Sequence, residues 1–386
     1  MLKHDQTPSP PVAPGPSFAR GLWRVAGADV SGGNDICLLH DGEMTFDAMI
    51  ADIERAQRTV RLEGYIFRDD EVGKRFRDAL CTAAARGVQV RLLVDWIGKW
   101  PTPRSFFNDM RSHGVDVRLF NPPGLRGWLG LVPRDHRKLL VVDDCAGITG
   151  GIGIGNEWRT GVLRRRGAPW RDTAVRIEGP AATDMAESFD RMWSRALGKE
   201  RRSSDRYLVE RRSNRHARVA DEGGGLVGVV QGEPLRLRIS RALQIQSVSA
   251  ERSIWIASAY FMPSYAEVEA LIGAARDGVD VRILVPHRYD HPWIRLLTRR
   301  FYRRLVVNGV RIWEWKGEMM HAKTSVVDGR WVRVGSTDFN PLGIAINYEL
   351  DVVIDDAAVG REAEMVFLAD LAESREITLG AVQPAG

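Results

Sequence analysis

His136 and Lys138 in "DHRKLLVVDD" (135–144) stand two residues apart, and His321 and Lys323 repeat that spacing in "MHAKTSVVDG" (320–329). In an extended strand residues i and i+2 project to the same face, so each copy offers an imidazole beside an ammonium. Asp143 and Asp328 complete the pattern HxKxxxxD in both copies. Two histidines and two lysines suit phosphoryl transfer without a metal. Lysines neutralise a phosphodiester, backbone amides and a hydroxyl such as Ser336 hold its oxygens, one histidine attacks phosphorus, and the other protonates the leaving alkoxide. Opposed roles at one centre need two histidines, which explains why the motif occurs twice. Asp143 and Asp328 have the opposite parity to the His–Lys face and stand at turn positions. Turn formation therefore competes with a direct catalytic role for both.

The segments around the motifs also recur. "AQRTVRLEGYIF" (56–67) and "AARGVQVRLLVDW" (84–96) match "AERSIWIASAYF" (250–261) and "AARDGVDVRILVP" (274–286), at offsets between 185 and 195 residues. Such self-similarity marks a duplication. Within the first half, periodicity predicts helix over 44–57, strand over 59–67, helix over 71–86, strand over 88–95, helix over 103–113 and strand over 115–120. The alternation predicts an α/β fold with largely parallel strands. Two similar α/β lobes, related by a pseudo-twofold, would share one active site. The lobes are expected at 18–197 and 226–374. A Pro-rich disordered segment (1–17), a charged linker (198–225) and a short tail (375–386) flank or join them.

Composition narrows the class. The chain has 386 residues, 44% of them hydrophobic and 27% charged, with 55 Lys and Arg against 50 Asp and Glu. This is an ordinary globular balance with a mild basic excess. Cys37, Cys81 and Cys145 are scattered in apolar contexts and read as buried free thiols. No segment has the length and apolarity of a transmembrane helix or a secretory signal, so the expected location is cytoplasmic and peripheral at the inner membrane. Two segments could touch an anionic bilayer. "PWIRLLTRRFYRRLVV" (292–307) aligns Ile294, Leu297, Phe301 and Leu305 on a stripe among arginines, and Trp128, Leu129 and Leu131 lie in a Gly-rich loop before the first motif. His287 and His291 in "HRYDH" have no third ligand signal and read as loop. No metal or cofactor is expected.

With these features the chain resembles the phospholipase D superfamily, and within it bacterial cardiolipin synthases of the type without N-terminal transmembrane helices. The doubled HxKxxxxD, "GGIGIGNEW", "WRDTAVRIEGPA" and "GSTDFNPLGIAINYELDVVI" carry the resemblance from about Asn34 to about Asp356. It implies a covalent phosphatidyl-histidine intermediate, with His136 as nucleophile and His321 as general acid. It also implies that an acid after each motif, Asp172 and Glu349, orients a histidine ring. The family pattern places asparagine where this chain has Gly153 and Asp338, so both phosphate-facing amides are missing. The expected activity is phosphatidyl transfer between phospholipids such as phosphatidylglycerol. Alternatives are phospholipase D hydrolysis, a nuclease-type phosphodiesterase and a lipid-binding pseudoenzyme. The apolar residues around the motifs favour acyl chains over a nucleic-acid partner.

Overall fold

A computed structural model describes residues 21–382 except 23, 123–132, 160–167 and 199–223. The N-terminal segment 1–17, nearly all of the linker and the Trp128 loop lie outside the described residues. The first half supplies strands β1 (Val30–Leu39), β2 (Thr59–Gly64), β3 (Gln89–Asp95), β4 (Asp116–Phe120), β5 (Leu139–Val142), β6 (Ala146–Gly150) and β7 (Ala174–Glu178). The second supplies β8 (Gly225–Gly232), β9 (Ser253–Ser258), β10 (Asp280–Pro286), β11 (Arg311–Trp315), β12 (Lys323–Val327), β13 (Trp331–Gly335), β14 (Glu349–Asp355) and β15 (Ser374–Glu376). Among the described residues they pair in the order β15-β11-β10-β9-β12-β13-β14-β8-β1-β7-β6-β5-β2-β3-β4. Outward from the β1–β8 junction the two sides follow the same plan, so the duplication seen in the sequence is a duplication of topology.

Only the outer strands of each half are parallel: β2 with β3, β3 with β4, β9 with β10 and β10 with β11. The centre is antiparallel, which corrects the expectation of a largely parallel sheet. The cause is local. Asp143 and Asp144 have φ of 52° and 62°, and Asp328 and Gly329 have φ of 54° and 65°. These left-handed pairs form tight hairpins, and a connection that short can only join antiparallel strands. The chain is also ordered beyond the expected tail boundary, because β15 pairs with β11 and Ile377 is buried.

Helices form where the sequence supplies both a cap and an apolar face. Asp41 accepts from the Met44 amide to start Gly42–Arg55, which buries Phe46, Met49 and Ile53. Asp70 does the same for Glu71–Ala85, which buries Val72, Phe76 and Leu80. Ser264 and Glu267 form a reciprocal capping box at Tyr265–Arg276. Each half has its own core, and a third core is shared. In that third core Val175, Ile177, Met185 and Phe189 pack with Val227, Val334, Leu350 and Val352. Full burial of such side chains contributes roughly 1.5–3 kcal/mol each, so the halves are bound as one body. Cys37 and Cys145 are exposed and Cys81 is half-buried, contrary to the buried-thiol reading. Cys37 faces outward on β1 and Cys145 follows the hairpin turn.

This topology positions the motifs. Strand β5 runs antiparallel to β2, so His136, just before β5, lies at the carboxyl ends of β2 and β3. His321 has the same relation to β9 and β10 through β12. Both motifs therefore open on one edge of the sheet, the edge where α/β proteins commonly bind ligands.

Candidate active site

The two halves exchange backbone at the motifs. The His136 amide donates to the Tyr348 carbonyl at 3.0 Å, and the Tyr348 amide donates to the Arg134 carbonyl at 2.8 Å. In the other direction the His321 amide donates to the Arg171 carbonyl at 2.7 Å, and Arg171 donates to Met319 at 2.9 Å. Each exchange is a single parallel bridge, Asp135 with Tyr348 and Arg171 with Met320. The next residue after each bridging partner is acidic, and both acids cross over. His136 Nδ1 lies 3.0 and 3.1 Å from the two Glu349 oxygens, and His321 Nδ1 lies 2.8 Å from Asp172 Oδ2. Each histidine is thus oriented by the carboxylate of the opposite half. A carboxylate at Nδ1 holds the proton there and leaves Nε2 as the reactive nitrogen.

The carboxylates are themselves fixed. Asp172 accepts from Trp158 Nε1 at 2.9 Å and from the Thr173 amide at 2.8 Å. A Cβ on Gly151 would fall 2.2 Å from Asp172 Oδ1, so only glycine permits that approach. Glu349 accepts from the Ser336 hydroxyl, which in turn accepts from the Leu350 amide at 3.0 Å. Ser336 is therefore a holder of Glu349 rather than the phosphate ligand expected from the sequence. Lys138 Nζ donates to the His136 carbonyl at 2.6 Å, and Lys323 Nζ donates to the His321 carbonyl at 2.7 Å. Lys323 Nζ also lies 3.0 Å from His321 Nε2.

Burial dominates the electrostatics. It pushes Glu349 up to about 8 and Asp172 up to about 6, and it pulls Lys138 down to about 8. Both histidines are held well below their ordinary range, first by burial and then by the charges of Lys138 and Lys323. Each lysine donates to the carbonyl of its own histidine, and the crossed carboxylates bring the two His–Lys pairs to the same edge of the sheet. An anion bound there would cancel the lysine charge and let an imidazole take up a proton.

Asp143 and Asp328 lie at the far ends of β5 and β12 from the histidines. Asp143 accepts from the amides of Gln57, Arg58 and Thr59, and Asp328 from those of Glu251, Arg252 and Ser253. Both tie the hairpin to the start of a neighbouring strand, so their inclusion among the catalytic residues is corrected to the turn role. A Cβ on Gly153 would meet the Trp158 ring at 2.8 Å, so an indole wall excludes a longer side chain there. Asp338 lies buried 3.5 Å from Lys323 Nζ.

Sequence reasoning missed the aromatic surround. Trp158 and Trp170 have ring centroids 5.5 and 5.6 Å from His321, and Tyr65 lies 5.0 Å from His136. The one available signal was Tyr65 and Tyr260 near the ends of the repeated strands. His287 bonds Glu314 at 2.8 Å, consistent with the loop reading. Among the described residues no group of three His, Cys, Asp or Glu side chains could hold a metal ion.

Raising Glu349 from 4.5 to about 8 on folding means the unfolded chain loses its proton first as pH rises. Stability therefore declines across that interval. Glu349→Gln removes the titration, so the variant's unfolding free energy minus the parent's should grow by at least about 1 kcal/mol between pH 5 and pH 8.5 in urea titrations. A difference that stays constant contradicts the assignment.

The family described as cardiolipin synthase, PLD-like domain, matches residues 49–193 and 244–371. A cardiolipin synthase of Geobacillus kaustophilus is 32% identical over 92% of this chain and 71% of its own length. The major cardiolipin synthase of Bacillus subtilis is 31% identical over 89% of this chain and 70% of its own length, and a cardiolipin synthase of Pseudomonas entomophila is 33% identical over 89% and 70%. Among solved structures, phosphatidylserine synthase of Haemophilus influenzae superposes with a TM-score of 0.70 at 14% identity, covering 93% of this chain and 91% of that one. Two polypeptide halves crossing at a pair of histidines, on a sequence matched over most of its length, place this chain in the cardiolipin synthase family of PLD-like proteins.

Proposed function

We propose that this chain transfers a phosphatidyl group from one phosphatidylglycerol to another, yielding cardiolipin and glycerol. The observation that carries the reading is the pair of imidazoles, each fixed at Nδ1 by the opposite half's carboxylate and each with a lysine donating to its own carbonyl. His136 Nε2 attacks phosphorus while His321, as imidazolium, gives its proton to the departing glycerol oxygen. The phosphatidyl-histidine is then attacked by a hydroxyl of the second lipid, whose proton returns to His321 Nε2, and His136 leaves. Trp158, Trp170 and Tyr260 around His321 limit water at the step where hydrolysis would compete.

The protein acts at an anionic membrane surface through the rim of the sheet edge that carries the motifs. Among the described residues no helix is long and apolar enough to cross a membrane. In Pro292–Val307 the buried residues are Ile294, Thr298, Tyr302 and Leu305, so two of the four residues of the apolar stripe, Ile294 and Leu305, pack inward, and Phe301 is partly buried against the same core. The outer face carries Arg300 and Arg303 with Trp293 and Leu296, which are 58% and 71% exposed. Trp100 after β3, Leu235 after β8 and Leu342 between β13 and β14 add exposed apolar side chains on the same edge. A basic face with apolar anchors suits an anionic bilayer.

Given phosphatidylglycerol vesicles and EDTA, the parent protein should make cardiolipin. His136→Ala and His321→Ala should each lose at least about a thousandfold in rate, because the two act in one covalent cycle. Mass spectrometry of His321→Ala should find the phosphatidyl adduct on His136. An adduct confined to His321 in His136→Ala reverses the roles, and phosphatidic acid as the sole product replaces transfer by hydrolysis.

Each basic residue near an anionic surface contributes about 1 kcal/mol. Arg300→Gln with Arg303→Gln should therefore weaken sedimentation with phosphatidylglycerol vesicles roughly tenfold or more, and salt should shrink the gap between variant and parent. Unchanged sedimentation contradicts docking through this face.

A further inference from the structure

Among the described residues three buried carboxylates, Asp172, Glu349 and Asp338, face the site, and the first two are occupied by histidines. The third, Asp338, follows the Ser336–Thr337 turn after β13 and is 3% exposed. Its Oδ1 accepts from the Tyr260 amide at 3.2 Å and lies 3.5 Å from Lys323 Nζ. Its Oδ2 takes no hydrogen bond from the described residues. The matching position in the other half is Gly153, where the Trp158 ring fills the space. The pseudo-twofold is thus broken electrostatically, with a carboxylate on one side and an indole on the other.

The two lysines differ accordingly. Lys323 has a carboxylate beside it and also touches His321 Nε2 at 3.0 Å. Lys138 donates to its own histidine's carbonyl, and among the described residues no carboxylate lies within ion-pair distance of it. A phosphoryl oxygen is drawn to the ammonium that has no carboxylate at ion-pair distance and repelled by the carboxylate beside Lys323. A lysine–carboxylate pair has the opposite preference. It offers a donor and an acceptor with little net charge, which matches neutral hydroxyl groups that both accept and donate.

We propose that Lys323 and Asp338 form a subsite for the alcohol, in which Asp338 accepts a hydrogen bond from a second hydroxyl of a polyol headgroup. This rests on the phosphatidyl transfer proposed above. The subsite adjoins His321, the imidazole that exchanges a proton with the reacting hydroxyl. It serves the departing glycerol and the incoming one alike, since both occupy the same side of phosphorus. It selects polyols over water and simple alcohols, because an alcohol with one hydroxyl leaves Oδ2 of the buried carboxylate without a donor.

The experiment is a partition of one intermediate. Phosphatidylglycerol vesicles are incubated with the full-length protein, deuterated glycerol and 1-propanol at equal concentration. The ratio of deuterated phosphatidylglycerol to phosphatidylpropanol is read by mass spectrometry. That ratio depends on the choice made by the phosphatidyl-enzyme and not on how fast it forms. The parent should favour glycerol at least tenfold, and Asp338→Asn should reduce the ratio at least fivefold. A parent ratio below ten, or a reduction below fivefold, overturns the proposal. Asp338→Ser is run in parallel with the same threshold, and if neither variant makes product the parent ratio decides. Absence of both products with the parent protein overturns phosphatidyl transfer itself.

Discussion

The hydrogen bond between each histidine and the carboxylate of the opposite half is the constraint on which the site depends. An imidazole can act as nucleophile or acid only if one nitrogen is held and the other is free, and a buried carboxylate at Nδ1 achieves this. Here neither half can supply that for itself. His136 depends on Glu349, which is positioned by β14 and Ser336, and His321 depends on Asp172, which is positioned by Trp158 and the Gly151 turn. The backbone bridges at Tyr348 and Arg171 place each acid one residue beyond the strand exchange. The shared core of β-strands and the helix Pro180–Ala196 then holds the exchange in register.

This arrangement concentrates unfavourable burial at one place. Asp172, Glu349 and Asp338 are all sequestered with two lysines, and each carboxyl is raised by loss of water. A site so constructed is less stable than an apolar core of the same size. Three separate apolar cores offset the cost. The same burial holds both histidines below their ordinary range, and the charge of a bound anion would favour proton uptake there.

Much of this was legible in the sequence, for identifiable reasons. His136, Lys138, His321 and Lys323 announce themselves through parity and repetition, and Asp172 and Glu349 through motif context. Parity and turn chemistry also pointed to the hairpin role that Asp143 and Asp328 adopt. The crossing was not legible, because strand spacing says which face a side chain takes and not which lobe lies opposite. Ser336 is a hydroxyl in the expected turn, and only three-dimensional placement shows it bonded to Glu349. In Pro292–Val307 the buried face includes Thr298 and Tyr302, with Leu297 and Phe301 half-buried, because packing against β11 selects a face about one residue round from the apolar stripe. Helical periodicity alone cannot fix that rotation.

The reciprocal exchange of carboxylates is tested most directly by nitrogen NMR of the histidine rings in protein labelled at histidine. His136 and His321 would be assigned by single substitution, with spectra recorded for Asp172→Asn and Glu349→Gln. The crossed arrangement predicts that Asp172→Asn shifts the ring nitrogens of His321 and leaves those of His136 in place, and that Glu349→Gln does the reverse. Perturbation of the histidine in the same half as each mutated acid, with the opposite one unchanged, would contradict it.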